Sequence, residues 1–468
     1  MSSAALSVPS RPDRTADPHR RHRRHRRAWY WYDWANSAYV TTTATVLFAP
    51  YLTAVAKAAA CPGQSSDLPC HRDLHVLGLA IAPGSLAPYA VTVATLVAAV
   101  VLVWMGAVAD RAPRPARLLG LTAWTGSAAA CAMVFVTGTR WQLGVLLLLV
   151  ATVALGASLV VYDSLLCRIA APDDRDRVSS RGWALGYLGG GLLLAVNLAV
   201  VSLHERLGLS TGDAVRISLL SAGLWWAVFT LVPVLGMWSL RGVEQPVVAK
   251  DAGAVGGSLR QLAATFRDLR RYPQTLLFLL AALFFNDGIQ TVIASSSLYG
   301  SEELGFSQPQ LMAIILLVQF VAFGGALLFG RLAARWGAWR TILGSLGIWT
   351  VIVVLAYLVP RGAFGAFVAL AVGIGVVLGG SQALARSLFS QLVPRAREAE
   401  FFSLYQAMER GTSWFGTLTF GLVYQATHSY RLSIVALMAF FVVGGLLLAR
   451  VDVPRAIREA GNPVPEVV

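Results

Sequence analysis

The apolar residues of this chain come in long continuous runs, not in strict alternation and not on one face of a helix. Runs of roughly 20 residues recur from VTTTATVLFAPYLTAV (Val40–Val55) to SIVALMAFFVVGGLLLA (Ser433–Ala449), and about 20 residues is the length a helix needs to cross a bilayer. A membrane β-barrel would show strands of about ten alternating residues, and these runs do not alternate. We read twelve of them. The expected fold class is therefore an all-α polytopic membrane protein with twelve transmembrane helices.

The runs also repeat. DSLLCRIAAP (Asp163–Pro172) is answered by RSLFSQLVP (Arg386–Pro394), with Ser164 and Ser387 223 residues apart. Gly106 and Gly330, each closing an apolar run before an Arg-rich turn, stand 224 apart. Two landmarks at nearly one offset suggest a duplicated half, although short apolar motifs also match by chance. A duplication makes the fold two pseudo-symmetric six-helix bundles. The expected organisation is a disordered basic tail (1–28), an N-terminal bundle (29–240), a central loop with an amphipathic helix (241–273), a C-terminal bundle (274–452) and a second tail (453–468). Within the repeat the charge changes sign, because Asp163 in the first copy is Arg386 in the second.

Composition agrees with a membrane protein. Only 13% of residues are charged and 56% are hydrophobic, whereas soluble domains carry roughly 25% charged residues. That excludes a soluble globular enzyme. The net charge of +14 invites a nucleic-acid reading, but its distribution argues for a membrane: 30 of the 38 Lys and Arg fall in alternate segments on one side and 7 on the other. By the positive-inside rule the N-terminus is cytoplasmic, and an even number of crossings brings the C-terminus to the same side. The expected location is the cell membrane, as a multi-pass monomer with the lipid bilayer as its partner and no nucleic acid. Cys61 and Cys70 share the first outward loop, where they either form a disulfide or stay as two thiols. The His-rich tail (His19, His22, His25) reads as a basic arm drawn to anionic lipid, and Trp29, Trp31 and Trp34 after it read as an interfacial aromatic belt. No metal site and no cofactor are expected, and no Gly-Lys-Ser/Thr phosphate loop appears for ATP-driven transport.

YDWANSAY (Tyr32–Tyr39) resembles the opening signature of the vacuole-effluxer-like branch of the major facilitator superfamily. The resemblance continues through SSRGWALGYLGGGLLLAVNL (Ser179–Leu198), FFNDGIQTVI (Phe284–Ile293), LVQFVAFGGALLFGRLA (Leu317–Ala333) and GGSQALARSLFSQLVPRAREAEFF (Gly379–Phe402). It implies the two-bundle fold with alternating access to a central cavity. Fungal vacuolar members are associated with amino-acid efflux during autophagy. GAVADRAPRPAR also looks like the superfamily's loop motif, with Gly106, Asp110, Arg111 and Arg114 matching. Pro113 replaces its internal glycine, and Ala334 replaces the acid in the second copy.

The candidate chemistry lies within the spans. An ionisable residue at bilayer depth costs about 2.5–3.5 kcal/mol on insertion scales and by default marks a pathway. Asp33 and Asn36 share a helix face in the first span, where Asp33 reads either as a pathway residue or as a helix cap. Asn286, Asp287 and Gln290 sit near the middle of the seventh span, where Asp287 reads either as a pathway residue that carries a proton or meets an amine, or as a structural hydrogen-bond partner within the bundle. Glu409 and Arg410 lie in the eleventh, and Arg410 is the expected partner of a substrate carboxylate. Gly182, Gly186 and Gly190 form a small-residue stripe, repeated at Gly375, Gly379 and Ala383, that serves either static packing or sliding between bundles. Asp163 and Arg386 occupy equivalent places across the pseudo-two-fold axis. They are expected to meet when the cytoplasmic side closes, in a gate that also includes Gly106, Asp110, Arg111, Arg114 and Arg181. The competing account pairs Asp163 with Arg168 or Arg181, and Arg386 with Glu409. The expected function is secondary active, proton-coupled transport of a small, amino-acid-like solute, not enzymatic catalysis. The alternatives are a transporter-like sensor that binds without turnover and a lipid-acting membrane protein.

Overall fold

The computed structural model describes residues 18–63, 70, 72–76, 79–241, 267, 269–411 and 414–468. Inside a bilayer each backbone N–H and C=O must be satisfied within the chain, and helices supply nearly all of the structure. The N-terminal bundle runs through α1 (Pro18–Tyr39), which continues through a π-helical stretch (Val40–Leu47) into α2 (Phe48–Ala60). A short antiparallel hairpin follows, β1 (Leu74–Val76) with β2 (Leu79–Ile81), then α3 (Pro83–Asp110), α4 (Pro115–Ala132), α5 (Trp141–Ile169), α6 (Arg175–Ser202) and α7 (Thr211–Gly236). The C-terminal bundle comprises α8 (Pro273–Leu298), α9 (Gln308–Trp336), α10 (Ala338–Leu358), α11 (Phe364–Leu392), α12 (Glu398–Gly411), α13 (Trp414–Thr427), α14 (Tyr430–Ala436) and α15 (Met438–Ala449), followed by the short α16 (Val453–Glu459).

Among the described residues eleven helices are long and apolar enough to cross a membrane. The remaining expected span corresponds to α12 and α13, 14 residues each, whose join at 412–413 lies outside the described residues. Each bundle has its own apolar core, one centred on Trp29, Tyr32, Tyr162 and Trp226, the other on Phe278, Phe285, Trp349 and Phe389.

The first part of α1 and the C-terminal segment both meet the turn between α5 and α6. Arg26 Nη1 lies 2.7 Å from Asp174 Oδ2, and the Glu466 N–H donates to Asp173 Oδ1 at 2.9 Å. We call this the termini end. The opposite, hairpin end carries a disulfide between Cys61 and Cys70.

Several expectations are revised. The stretch from Pro18 to Ala28 is helical, continuous with the first span, so that part of the expected tail is ordered; residues 1–17 lie outside the described residues. Because α1 begins there, Asp33 is a mid-helix residue and not a cap. Trp29, expected in an interfacial belt, is fully buried and stacks on Tyr162 at 4.3 Å. Most of the proposed amphipathic helix (Leu259, Arg260, Leu262, Phe266) lies outside the described residues, and Leu269 is buried in the C-terminal core. The glycine stripes pack within bundles. Gly182, Gly186 and Gly190 face Asp33, Ser37 and Thr41 of the first span, and Gly375 and Gly379 face Val321 and Ala322 of α9.

Gly379 shows why close approach requires glycine: a Cβ there would fall 2.3 Å from the Ala322 carbonyl oxygen, whereas one on Gly347 would meet nothing within 4 Å. Overpacking of this kind costs about 1–3 kcal/mol. Gly379→Val should therefore lower the thermal unfolding midpoint in detergent, and Gly347→Val should leave it nearly unchanged.

Candidate functional site

Arg386 lies on the C-terminal bundle, in α11, but its guanidinium enters a socket built by the N-terminal bundle. Nη2 donates to Asp33 Oδ2 at 3.1 Å and to the Ser179 carbonyl at 3.2 Å. Nη1 donates to Asp163 Oδ1 at 3.2 Å and reaches Asp33 Oδ1 at 3.5 Å. Nε donates to Ser179 Oγ at 3.0 Å. Arginine carries five N–H donors in a fixed fork, and this socket offers an acceptor in each direction. Trp29, Tyr162 and Trp183 place their rings 4.9, 5.4 and 5.4 Å from the guanidinium carbon, within cation–π range. Arg386 is 4% exposed and Asp163 1%.

The carboxylates are held in turn. The Tyr162 hydroxyl donates to Asp33 Oδ2 at 2.7 Å, and Gln406 Nε2 of α12 donates to Asp163 Oδ2 at 2.9 Å. Asn36 does not touch Arg386; its side-chain amide donates to the Tyr32 carbonyl one turn back.

Around this centre the two bundles join at the termini end. Asp110 accepts the N–H groups of Ala399 and Glu400, both at 2.9 Å, at the start of α12. A carboxylate there answers both the unpaired N–H groups and the positive end of the helix dipole. Gly106 lies so close to α12 that a Cβ would fall 2.5 Å from Ser403 Oγ. In the second copy, Gly330 abuts Ser180 of α6, and Ser387 Oγ donates to Asp176 Oδ1 at 2.5 Å. Ala334 cannot cap α6, whose first turn carries its own Asp176. Arg111 and Arg181 are exposed and Arg114 is half-buried; among the described residues none of the three joins an ion pair across the interface. Among the described residues no hydrogen bond to the opposing bundle accompanies their expected place in the gate.

Above the Arg386 socket a cavity of about 490 Å³ extends toward the hairpin end. Asp33, Asp163 and Arg386 line its floor; Asn36, Asn286, Gln290, Glu409 and Arg410 line its walls. Neighbouring residues on a helix point roughly 100° apart, yet both Glu409 and Arg410 reach this space. Arg410 Nε is buried and has no hydrogen-bond partner among the described residues. Asp287 is not on the cavity wall. It is 2% exposed and turned toward α13, where its Oδ2 accepts the Gly416 N–H at 2.8 Å and its Oδ1 has no partner. Residues not anticipated from sequence also contribute: Ser179, Gln406, Tyr162 and Trp183 at the socket, and Gln319, whose amide donates to Thr41 Oγ1 at 2.7 Å beside the π-helical stretch.

Comparison with known proteins follows the same outline. The sequence profile described as "Vacuole effluxer Atg22 like" matches residues 21–461. The chain is 29% identical over 436 residues to an "Uncharacterized MFS-type transporter YxiO" of Bacillus subtilis, covering 92% of this chain and 95% of that one. It is 27% identical to "Autophagy-related protein 22" of Yarrowia lipolytica over 471 residues, covering 82% and 78%. Among solved structures, the proton:xylose symporter XylE matches with a TM-score of 0.67 at 12% identity, covering 93% of this chain and 96% of that one. A bacterial homologue of the iron transporter ferroportin in an outward-facing state matches at 0.65 and 13%, covering 92% and 98%. At such identities these structures establish the major facilitator fold.

Burying three charges together makes each dependent on the others, and removing one partner of a buried pair costs about 3–5 kcal/mol. Arg386→Met should markedly lower thermal stability by leaving Asp33 and Asp163 buried without a cation. Adding Asp33→Asn and Asp163→Asn to that variant should restore much of the loss, as read by thermal unfolding of the purified proteins.

Proposed function

Because the chain belongs to the vacuole effluxer Atg22-like family and is a multi-pass membrane transporter, not an enzyme, we propose that it moves a small amino-acid-like solute by proton-coupled alternating access. The observation that carries the cargo class is the cavity wall, where Glu409 and Arg410 present opposite charges to one enclosed space of about 490 Å³. A zwitterion meets both: its carboxylate takes the unpartnered Arg410 N–H and its ammonium lies toward Glu409. A charge-assisted hydrogen bond of that kind contributes about 1.5–3 kcal/mol.

The Arg386 socket is the gate in this reading. It closes the termini end while the cavity extends the other way, and Asp33 and Asp163 form both the cavity floor and the counter-charges of Arg386. A proton arriving through the cavity at either carboxylate removes one of the two charges that hold the guanidinium. That shifts the population toward a form open at the termini end. The proton is placed on this pair in preference to Asp287, which faces α13. The distribution of Lys and Arg makes the termini end cytoplasmic, in the cell membrane.

Purified protein in liposomes tests the reading. Labelled neutral amino acids should accumulate only under a pH gradient. Arg410→Gln should cut the rate about tenfold or more, as expected for losing a charged hydrogen bond. Asp163→Asn should abolish dependence on the gradient in a folded protein. Failure of every amino acid to move, in protein that binds none of them, would overturn the cargo class. After reduction, Cys61 and Cys70 should react with an impermeant maleimide in intact cells; reaction only after permeabilisation would reverse the orientation.

A further inference from the structure

A second cavity, of about 690 Å³, lies at the termini end on the far side of the Arg386 socket. Its walls come from four separate parts of the chain: the start of α1 at His22, Arg23 and Arg26, the α5–α6 turn, the α11–α12 turn, and the C-terminal segment at Asn462 and Pro463. Five arginines line it, against two carboxylates, Asp174 and Glu398. Asp174 is already engaged by Arg26 and Arg177.

The other arginines form no ion pair among the described residues, and Asp176 and Asp110 act on Arg175 and Arg168 only from beyond ion-pair distance. Arg175 is 7% exposed, yet its guanidinium meets only neutral acceptors: the carbonyls of Ser390 at 2.6 Å, Cys167 at 3.3 Å and Ala170 at 3.5 Å, and Gln391 Oε1 at 3.3 Å. Arg168 is less satisfied still, with Nε and Nη1 buried and without a hydrogen-bond partner. Arg395 has one long contact, to Asn462 Oδ1 at 3.4 Å. A buried guanidinium left with unmade bonds is costly, so this cavity is arranged for an anion.

Glu398 narrows the class of anion. It is 7% exposed, forms no ion pair among the described residues, and its Oε2 is a buried acceptor without a donor. A simple anion such as sulfate, which carries no proton at neutral pH, would be repelled by that oxygen. A phosphate with one P–OH satisfies both needs, because its anionic oxygens accept from Arg168 and Arg395 while its hydroxyl donates to Glu398. A phosphodiester has no such proton to give.

We propose that this cavity binds phosphate that carries a P–OH, either inorganic or a monoester in its singly protonated form, and that the bound group ties the two bundles together. The N-terminal bundle supplies Arg168 and the C-terminal bundle Arg395 and Glu398, so separation of the bundles at this end would break the site. The bound anion therefore stabilises the closed termini end.

The test needs no knowledge of the transported solute. Inorganic phosphate should raise the unfolding midpoint of the detergent-purified protein by several degrees, and sulfate at equal ionic strength should do so less. It should also protect Cys167, which lines the cavity, from maleimide in a Cys131→Ala background. Arg168→Gln should abolish both effects. Arg395→Gln, at an exposed position that should not disturb folding, should raise the half-saturating phosphate concentration about tenfold. Glu398→Gln should erase the preference for phosphate over sulfate. Equal shifts with phosphate and sulfate, shifts indifferent to Arg168 and Arg395, or no shift would each overturn the proposal. Protection by phosphatidylglycerol vesicles without protection by inorganic phosphate would assign the site to a lipid phosphodiester and refute the monoester reading.

Discussion

A guanidinium can leave water only if its five N–H groups find acceptors and its charge finds an opposite one. Arg386 meets that condition solely when the two bundles are together at the termini end. Its acceptors, Asp33, Asp163 and Ser179, all belong to the opposite bundle. The socket thus makes closure of that end and burial of the arginine a single event. The carboxylates gain from the same contact, since without Arg386 they would be two like charges in an apolar setting. Neighbouring contacts reinforce it: Asp110 on the start of α12, Ser387 on Asp176, and Gln391 on the Pro172 carbonyl. These are hydrogen bonds, not interlocked apolar surface, and they can be exchanged for water when the interface parts.

Placing the floor of a cavity and the lock of a gate on the same carboxylates has a mechanistic consequence in the transport proposed above. Whatever changes the charge at Asp33 or Asp163 changes both what the cavity holds and how firmly the far end is shut. Coupling then needs no long relay through the bundle. The π-helical stretch Val40–Leu47 lies in the same span, seven residues beyond Asp33, where it turns Thr41 toward Gln319 of the other bundle. Departures from regular helix of this kind are frequent at functional sites. The first span therefore touches the opposite bundle at two levels.

The fold was legible because lipid imposes one strong rule, and runs of apolar residues obey it. The sequence repeat placed Asp163 opposite Arg386, and their atoms lie 3.2 Å apart. Asp33 was noticed as an intramembrane acid, but nothing local tied it to Arg386. Ser179 and Gln406 were not singled out, since a serine near the polar start of a helix and a glutamine in an amphipathic run look ordinary. Trp29 was misplaced because aromatic residues at a membrane edge and aromatic residues around a buried cation look alike in one dimension. Asp287 shows the opposite failure: an acid in mid-span was read as part of the pathway, but its hydrogen bond to Gly416 appears only once α13 is packed against α8. Arg111 and Arg114 followed a motif whose contacts are made mostly by its glycine and its acid.

The central claim is that charge on Asp33 and Asp163 holds the termini end closed through Arg386. Spin labels at Arg111→Cys and Arg335→Cys, exposed positions on opposite bundles at that end, report it directly by pulsed electron-spin distance measurement. With both carboxylates intact, one short distance should dominate. In the Asp33→Asn/Asp163→Asn background a longer distance should become the major population. An unchanged distance distribution in that background, in a protein that remains folded, would contradict the account.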